Sequence, residues 1–263
     1  MIPNYCVAAT TDSFQCFPFY RYDEDGSNRR ENITDWALEE FRKRYGDGSI
    51  TKWDIFHYVY GVLHHPEYRE RYAANLRREL PRVPMVGAAS GEGTGGKGIP
   101  HDKTVRNDKV KKGDGKLKED PKPKTDVDVF RAFVAAGKRL AEVHVGYEGQ
   151  AEYPLERVEA VGERRDLRVA KMKLSKDKTV LTYNAFLTLK GIPAEAFEYR
   201  LGNRSALEWV VDQYQVFEDK RSGIVNDPNR EDDEGYILRL VGQVITVSLE
   251  TVAIVQGLPE WVV

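Results

Sequence analysis

From residue 33 onward, apolar residues recur at helical spacing. Ile33, Trp36, Ala37, Phe41 and Tyr45 fall on one stripe, which predicts a helix stopped by Gly46. Thr51, with Asp54 three residues on, has the pattern of a capping box. Behind it Trp53, Phe56, Tyr60 and Leu63 form one apolar side and Ile55, Val59 and Val62 another, so this second helix is expected to be buried. Pro66 suits the first turn of a third helix, in which Tyr68, Tyr72, Leu76 and Leu80 recur every four residues. Residues 1–86 therefore read as a helical unit. The aromatic stretch 15–22 before it reads as an edge strand or extended lead-in.

The pattern lapses over residues 87–125, where Gly-Glu-Gly-Thr-Gly-Gly is followed by a Lys/Asp/Pro mixture almost without large apolar side chains. Such a tract is expected to be a flexible linker or insertion, because it buries too little to offset the entropy of ordering. Order is predicted to resume at Asp126, with Val129, Phe133, Ala136, Leu140 and Val143 on one helical face. Residues 167–174 and 178–184 alternate as two strands of a hairpin turned at Ser175-Lys176-Asp177. A short helix near Ala194, a capped helix over 203–214 and a loop over 220–234 follow. A long helix then closes the chain, with Ile237, Leu240, Val241, Val244, Val247, Thr251 and Ile254 on one side. The expected class is mixed α+β: a helical N-terminal part, a small antiparallel sheet and C-terminal helices. Residues 126–263 form the α/β remainder.

Composition narrows the functional classes. The net charge is −2, from 40 Lys and Arg against 42 Asp and Glu, so the chain as a whole does not attract polyanions. Residues 101–125 nevertheless hold eight lysines and one arginine against five acids. The most apolar window, 236–255, contains Arg239, Gln243 and Glu250, against the pattern of a membrane span. With no secretory signal pattern, a cytoplasmic location is expected. Cys6 and Cys16 are the two cysteines and are expected to be free thiols, since they cannot build a disulfide framework or a four-ligand zinc site.

Catalytic motifs fare poorly. The glycine run at 91–98 has Gly98 where a phosphate loop needs Ser or Thr after Lys97, and Pro100 follows where a helix should begin. His57, His64 and His65 lack metal-site spacing and read as helix-end histidines that satisfy carbonyls. Asp212, Glu218 and Lys220 loosely fit a magnesium nuclease, but Asp212 falls on the solvent side of a helix. No cofactor is implied.

Two stretches suit DNA. Arg200, Asn203, Arg204 and Ser205 are expected on the first turn of the 203–214 helix, where free N–H groups and the dipole favour a phosphate. Lys220, Arg221 and Ser222, followed by Asn226, Asn229 and Arg230, form a loop rich in side chains that hydrogen-bond base edges. A helix cap and a solvated turn are the plainer readings of the same residues.

Longer blocks carry a family resemblance. Trp53-Asp-Ile-Phe-His-Tyr-Val-Tyr-Gly-Val-Leu-His64, Pro66-Glu-Tyr-Arg-Glu-Arg-Tyr72 and Leu80-Pro-Arg-Val-Pro84 resemble the C-terminal specificity domain of Type ISP restriction–modification enzymes. So do Tyr183-Asn184, Tyr199-Arg-Leu-Gly-Asn-Arg-Ser-Ala-Leu-Glu-Trp209, Asp212-Gln-Tyr214 and Ser222-Gly-Ile-Val-Asn-Asp-Pro228. The 87–125 tract departs from that pattern and reads as an insertion. The resemblance implies a module that selects a double-stranded DNA site. Methyltransferase, helicase-like ATPase and nuclease modules of a parent enzyme would lie elsewhere, in the same chain or on separate subunits. The direct start at Met1-Ile-Pro-Asn4 favours a fragment over a natural short protein. On this reading Asn203, Arg204 and Lys220 would hold phosphates, and Asn184, Arg221 and Asn226 would face base edges. A module that docks a methyltransferase without touching DNA, and the small magnesium nuclease, are the rivals.

Overall fold

The computed structural model describes residues 17–88 and 125–263; the two cysteines and most of the glycine- and lysine-rich tract lie outside them. A short hairpin, β1 (Tyr20–Arg21) with β2 (Arg30–Glu31), leads into α1 (Asp35–Tyr45). Thr34 caps α1, accepting from the Ala37 N–H at 3.2 Å, and Gly46 ends it in the left-handed conformation with φ 64°. The capping box expected at Thr51 and Asp54 is formed and opens α2 (Lys52–His64). The third helix is shorter than its stripe implied. α3 (Pro66–Arg71) breaks at Tyr72, α4 (Ala73–Leu76) adds one turn, and Leu80 lies beyond it, exposed.

After the tract, Thr125 and Asp128 form another capping box and open α5 (Asp126–Val145), which packs along α2. The two backbones meet at glycines. A Cβ on Gly137 would lie 1.8 Å from the His57 carbonyl oxygen, and one on Gly61 would lie 2.7 Å from that of Phe133. Tyr58, Phe130 and Phe133, all fully buried, fill the core around this crossing. Tyrosines then fasten the strap that follows α4. Tyr58 Oη donates to the Pro84 carbonyl at 2.7 Å, Tyr45 Oη to that of Val86 at 2.8 Å, and Tyr68 Oη to that of Arg82 at 3.1 Å. Trp36, expected on the apolar stripe of α1, is instead 71% exposed.

The second core lies under a four-stranded antiparallel sheet in the order β3 (Glu156–Glu159), β6 (Leu187–Lys190), β5 (Val180–Thr182), β4 (Lys173–Leu174). The turn at Ser175-Lys176-Asp177 is present; Asp177 accepts from the hydroxyls of Ser175 and Thr179. Residues 167–172, expected as part of a strand, are not in the sheet. The short hairpin β7 (Arg200–Leu201) with β8 (Arg204–Ser205) precedes α6 (Ala206–Gln213), and β9 (Phe217–Glu218) with β10 (Val225–Asn226) follows it. α7 (Tyr236–Gln256) closes the core with Ile237, Leu240, Val241 and Val244 buried. By length and composition α7 is apolar enough to cross a membrane, yet 56% of its most apolar window is buried within the protein, as for a core helix.

The two cores are joined. α5 supplies Val129, Phe130 and Phe133 to the helical core and also packs on α7. The last residues return to the helical core, where Trp261 is buried and the Gly87 N–H donates to the Val262 carbonyl at 3.1 Å. At the junction, His144 Nδ1 lies 2.7 Å from Tyr60 Oη and its Nε2 lies 2.8 Å from Thr251 Oγ1. Thr251 donates to the Val247 carbonyl, so its oxygen accepts from His144 Nε2–H and leaves Nδ1 to accept from Tyr60. His64 and His65 each lie within hydrogen-bond reach of a carbonyl oxygen, that of Tyr60 at 2.8 Å and that of Pro259 at 3.0 Å.

Candidate nucleic-acid interface

Residues 163–172 cross the surface between β3 and β4 outside the sheet; the Val216 N–H donates to the Ala170 carbonyl at 2.9 Å, and side chains supply most of the remaining ladder. Asn229 accepts from the Val169 N–H and donates to the Val169 carbonyl, both at 2.8 Å. Asn184 Nδ2 donates to the carbonyls of Asp166 and Arg168 at 2.9 Å, while its Oδ1 accepts from the N–H groups of Phe186 and Leu187. The buried Tyr183 donates to the Leu167 carbonyl at 2.9 Å. Val169 and Met172 point into the core, while Arg164, Arg165 and Arg168 are exposed.

This segment forms a ridge between two clefts. The larger, about 810 Å³, is bordered by Arg164, Arg165, Arg168, Asp227 and Asn229 among others. The smaller, about 300 Å³, is bordered by Lys171, Arg204, Glu208 and Asp212. Gln215 borders the smaller cleft and Val216 the larger, immediately before the β9–β10 hairpin. The larger cleft also carries Glu163, Asp166 and Glu234.

The sequence candidates separate on this surface. Arg204 borders the smaller cleft, ion-paired with Asp212, its guanidinium 5.2 Å from the centroid of Trp209. Lys220, Arg221 and Ser222 form the exposed tip of the β9–β10 hairpin. There Asp219 accepts from the N–H groups of Arg221 and Ser222 and from the Ser222 hydroxyl, and the Ser222 and Arg221 N–H bonds hold its carboxyl below the usual range. Asn226 lies on β10 opposite Phe217, and Arg230 sits over the Tyr236 ring at 3.3 Å from its centroid. Arg200 donates to the Asn203 carbonyl and borders a different cleft, of about 650 Å³, beside α3 and α7.

One placement corrects the sequence reading. Residues 200–205 are not the first turn of a helix. Gly202, at φ 72°, and Asn203 turn a two-residue hairpin, and the helix begins at Ala206. Ser205 is its N-cap and is fully buried: it accepts from the Glu208 N–H while Glu208 accepts from the Ser205 N–H at 2.8 Å. Lys178, 2.7 Å from Glu208, and the Ser205 N–H hold that carboxyl at about 2. Asn184, expected to face bases, has both ends of its amide engaged by backbone groups. Arg164, Arg165, Arg168 and Asp227 were not singled out from sequence, although the paired arginines between Gly162 and Leu167 were a readable signal. Of the nuclease trio, Asp212 is ion-paired with Arg204.

The family model for the Type ISP C-terminal specificity domain matches residues 1–90 and 123–240. Among solved structures, the chain is similar to a nuclease-deletion mutant of the Type ISP restriction-modification enzyme LlaGI in complex with a DNA substrate mimic. The identity is 33% and the TM-score 0.64, over 93% of this chain and 18% of that one. It is also similar to the ATP-dependent Type ISP enzyme LlaBIII bound to DNA, at 28% identity and TM-score 0.67, over 92% and 13%. A DrdV–DNA complex gives 35% identity and TM-score 0.66, over 94% and 22%. The chain thus spans about a fifth or less of the length of these relatives. No curated protein matches it.

Proposed function

Since the chain belongs to the family of Type ISP C-terminal specificity domains, we propose that it recognises a double-stranded DNA site by sequence and has no catalytic centre of its own. Methyl transfer, ATP hydrolysis and cleavage would then reside in other modules of a parent enzyme. The observation that carries this reading is the agreement, over nine-tenths of the chain, with the corresponding part of enzymes whose structures hold DNA. The ridge between two clefts adds a physical reason, because it offers donors and acceptors on a fixed backbone. Arg204, Lys220 and Asn203 are assigned to phosphates; Arg221 and Asn226, on the hairpin, are assigned to base edges.

The test is selection of bound duplexes from a random library at moderate salt. One enriched short motif supports sequence recognition. Salt-sensitive binding without enrichment reduces the domain to a general DNA-docking surface. Arg204→Ala is expected to weaken binding to all duplexes alike and to lower the salt slope by about one. Arg221→Ala is expected to relax preference at one position. The exposed Trp36 and Tyr22 favour a second role, docking the parent's methyltransferase. Binding to that partner but to no duplex would make docking the sole function.

A further inference from the structure

Arg168, although exposed, is bonded through its N–H, its carbonyl and its guanidinium. Its backbone N–H donates to Asp166 Oδ1 at 2.8 Å and its carbonyl accepts from Asn184 at 2.9 Å, so the Cα is fixed from both sides. Its Nη2 donates to Asp227 Oδ2 at 2.8 Å. The other oxygen of Asp227 accepts from the Asn229 N–H at 2.9 Å and from Asn229 Nδ2 at 2.7 Å. Asn229 in turn pairs with Val169, the next residue along the ridge. Arg168, Asp227, Asn229 and Val169 thus close a ring of hydrogen bonds on the wall of the larger cleft. An ion pair this open to solvent stabilises a fold little. What the ring does accomplish is to fix the direction of one guanidinium, which has five N–H donors and uses one on Asp227.

We infer that Arg168, aimed by Asp227, reads a guanine through its O6 and N7 in the major groove. This rests on the DNA-recognition reading above and assigns part of the specificity to the larger cleft rather than to the hairpin tip. Arginine is suited to the role because its rigid fork matches both guanine acceptors, which a lysine ammonium cannot match with the same geometry. Asp227 is a positioning residue: it keeps the fork from rotating toward neighbouring phosphates.

The experiment repeats the random-duplex selection on the 263-residue chain with Arg168→Ala, Arg168→Lys and Asp227→Asn. The wild type is expected to enrich a motif with a guanine whose preference falls about tenfold in Arg168→Ala and also in Arg168→Lys, the other positions keeping theirs. Asp227→Asn is expected to retain that guanine with a preference reduced a few-fold. The lysine variant separates reading from support, since lysine can still pair with Asp227. If it keeps full guanine preference, the arginine fork is not what reads the base and the inference fails. If Arg168→Ala leaves the wild-type motif intact, the inference fails while the recognition reading stands. A wild type that enriches no motif overturns both.

Discussion

The side chain of Asn229 meets both backbone polar groups of Val169, each at 2.8 Å, as the residue of an adjacent strand would. Val169 is buried, so both groups would otherwise lie where water reaches poorly. Asn229→Ala is expected to cost about 1–3 kcal/mol, the penalty of leaving such groups unsatisfied. Urea denaturation of the wild type and variant measures it. A change below a few tenths would show that the ridge is held without this clamp.

The α2–α5 crossing makes a sharper demand. Gly137→Ala would place a methyl 1.8 Å from the His57 carbonyl, and a main-chain atom cannot step aside as a flexible side chain can. The expected loss is about 3 kcal/mol or more, at or above the usual cost of overpacking. Gly48→Ala, where nothing lies within 4 Å and φ is not positive, is the control. Thermal denaturation should separate the two clearly.

Ser205 tests the difference between a cap and a contact. Ser205→Ala removes one half of the α6 capping box and is expected to lower stability by about 1 kcal/mol. The serine is fully buried, so DNA affinity at a temperature where the variant is folded is expected to stay unchanged. A lower affinity without a lower stability would contradict this assignment.

His144 gives the fold a pH dependence. Burial, with the neighbouring His64 adding to it, lowers its pKa to about 3. The unfolded chain takes up a proton near pH 6.5 and the folded chain resists doing so. Stability from this group is therefore complete above about pH 6.5 and declines as pH falls toward 3, at no more than about 1.4 kcal/mol per pH unit. His144→Gln should flatten the decline in denaturation measurements between pH 7 and 5. An unchanged slope would place the sensitivity elsewhere.

Much of the helical part was legible because its signals are local. The Thr51–Asp54 box, the Gly46 stop and the stripe of α5 lie within a few residues of what they specify. The ridge was not legible in the same way. Residues 167–172 alternate as a strand does, yet apart from the Val216 N–H their partners are side chains from Tyr183, Asn184 and Asn229, up to sixty residues away. Periodicity reports that a segment is half-buried but not what satisfies its backbone. The 200–205 difference has another origin: a helix is expected from Asn203, but Gly202-Asn203 turn a hairpin and the cap is Ser205, two residues later.

Each of the asparagine bonds on the ridge reaches main-chain atoms of residues 166, 168 and 169 and none of their side chains. The grip therefore makes no use of what residues 164 and 165 carry, and residue 168 enters it only through Asp227. On the proposed recognition reading, a lineage can exchange side chains along the ridge and inherit the same backbone scaffold, so new target sequences become reachable by substitution without rebuilding the fold that displays them.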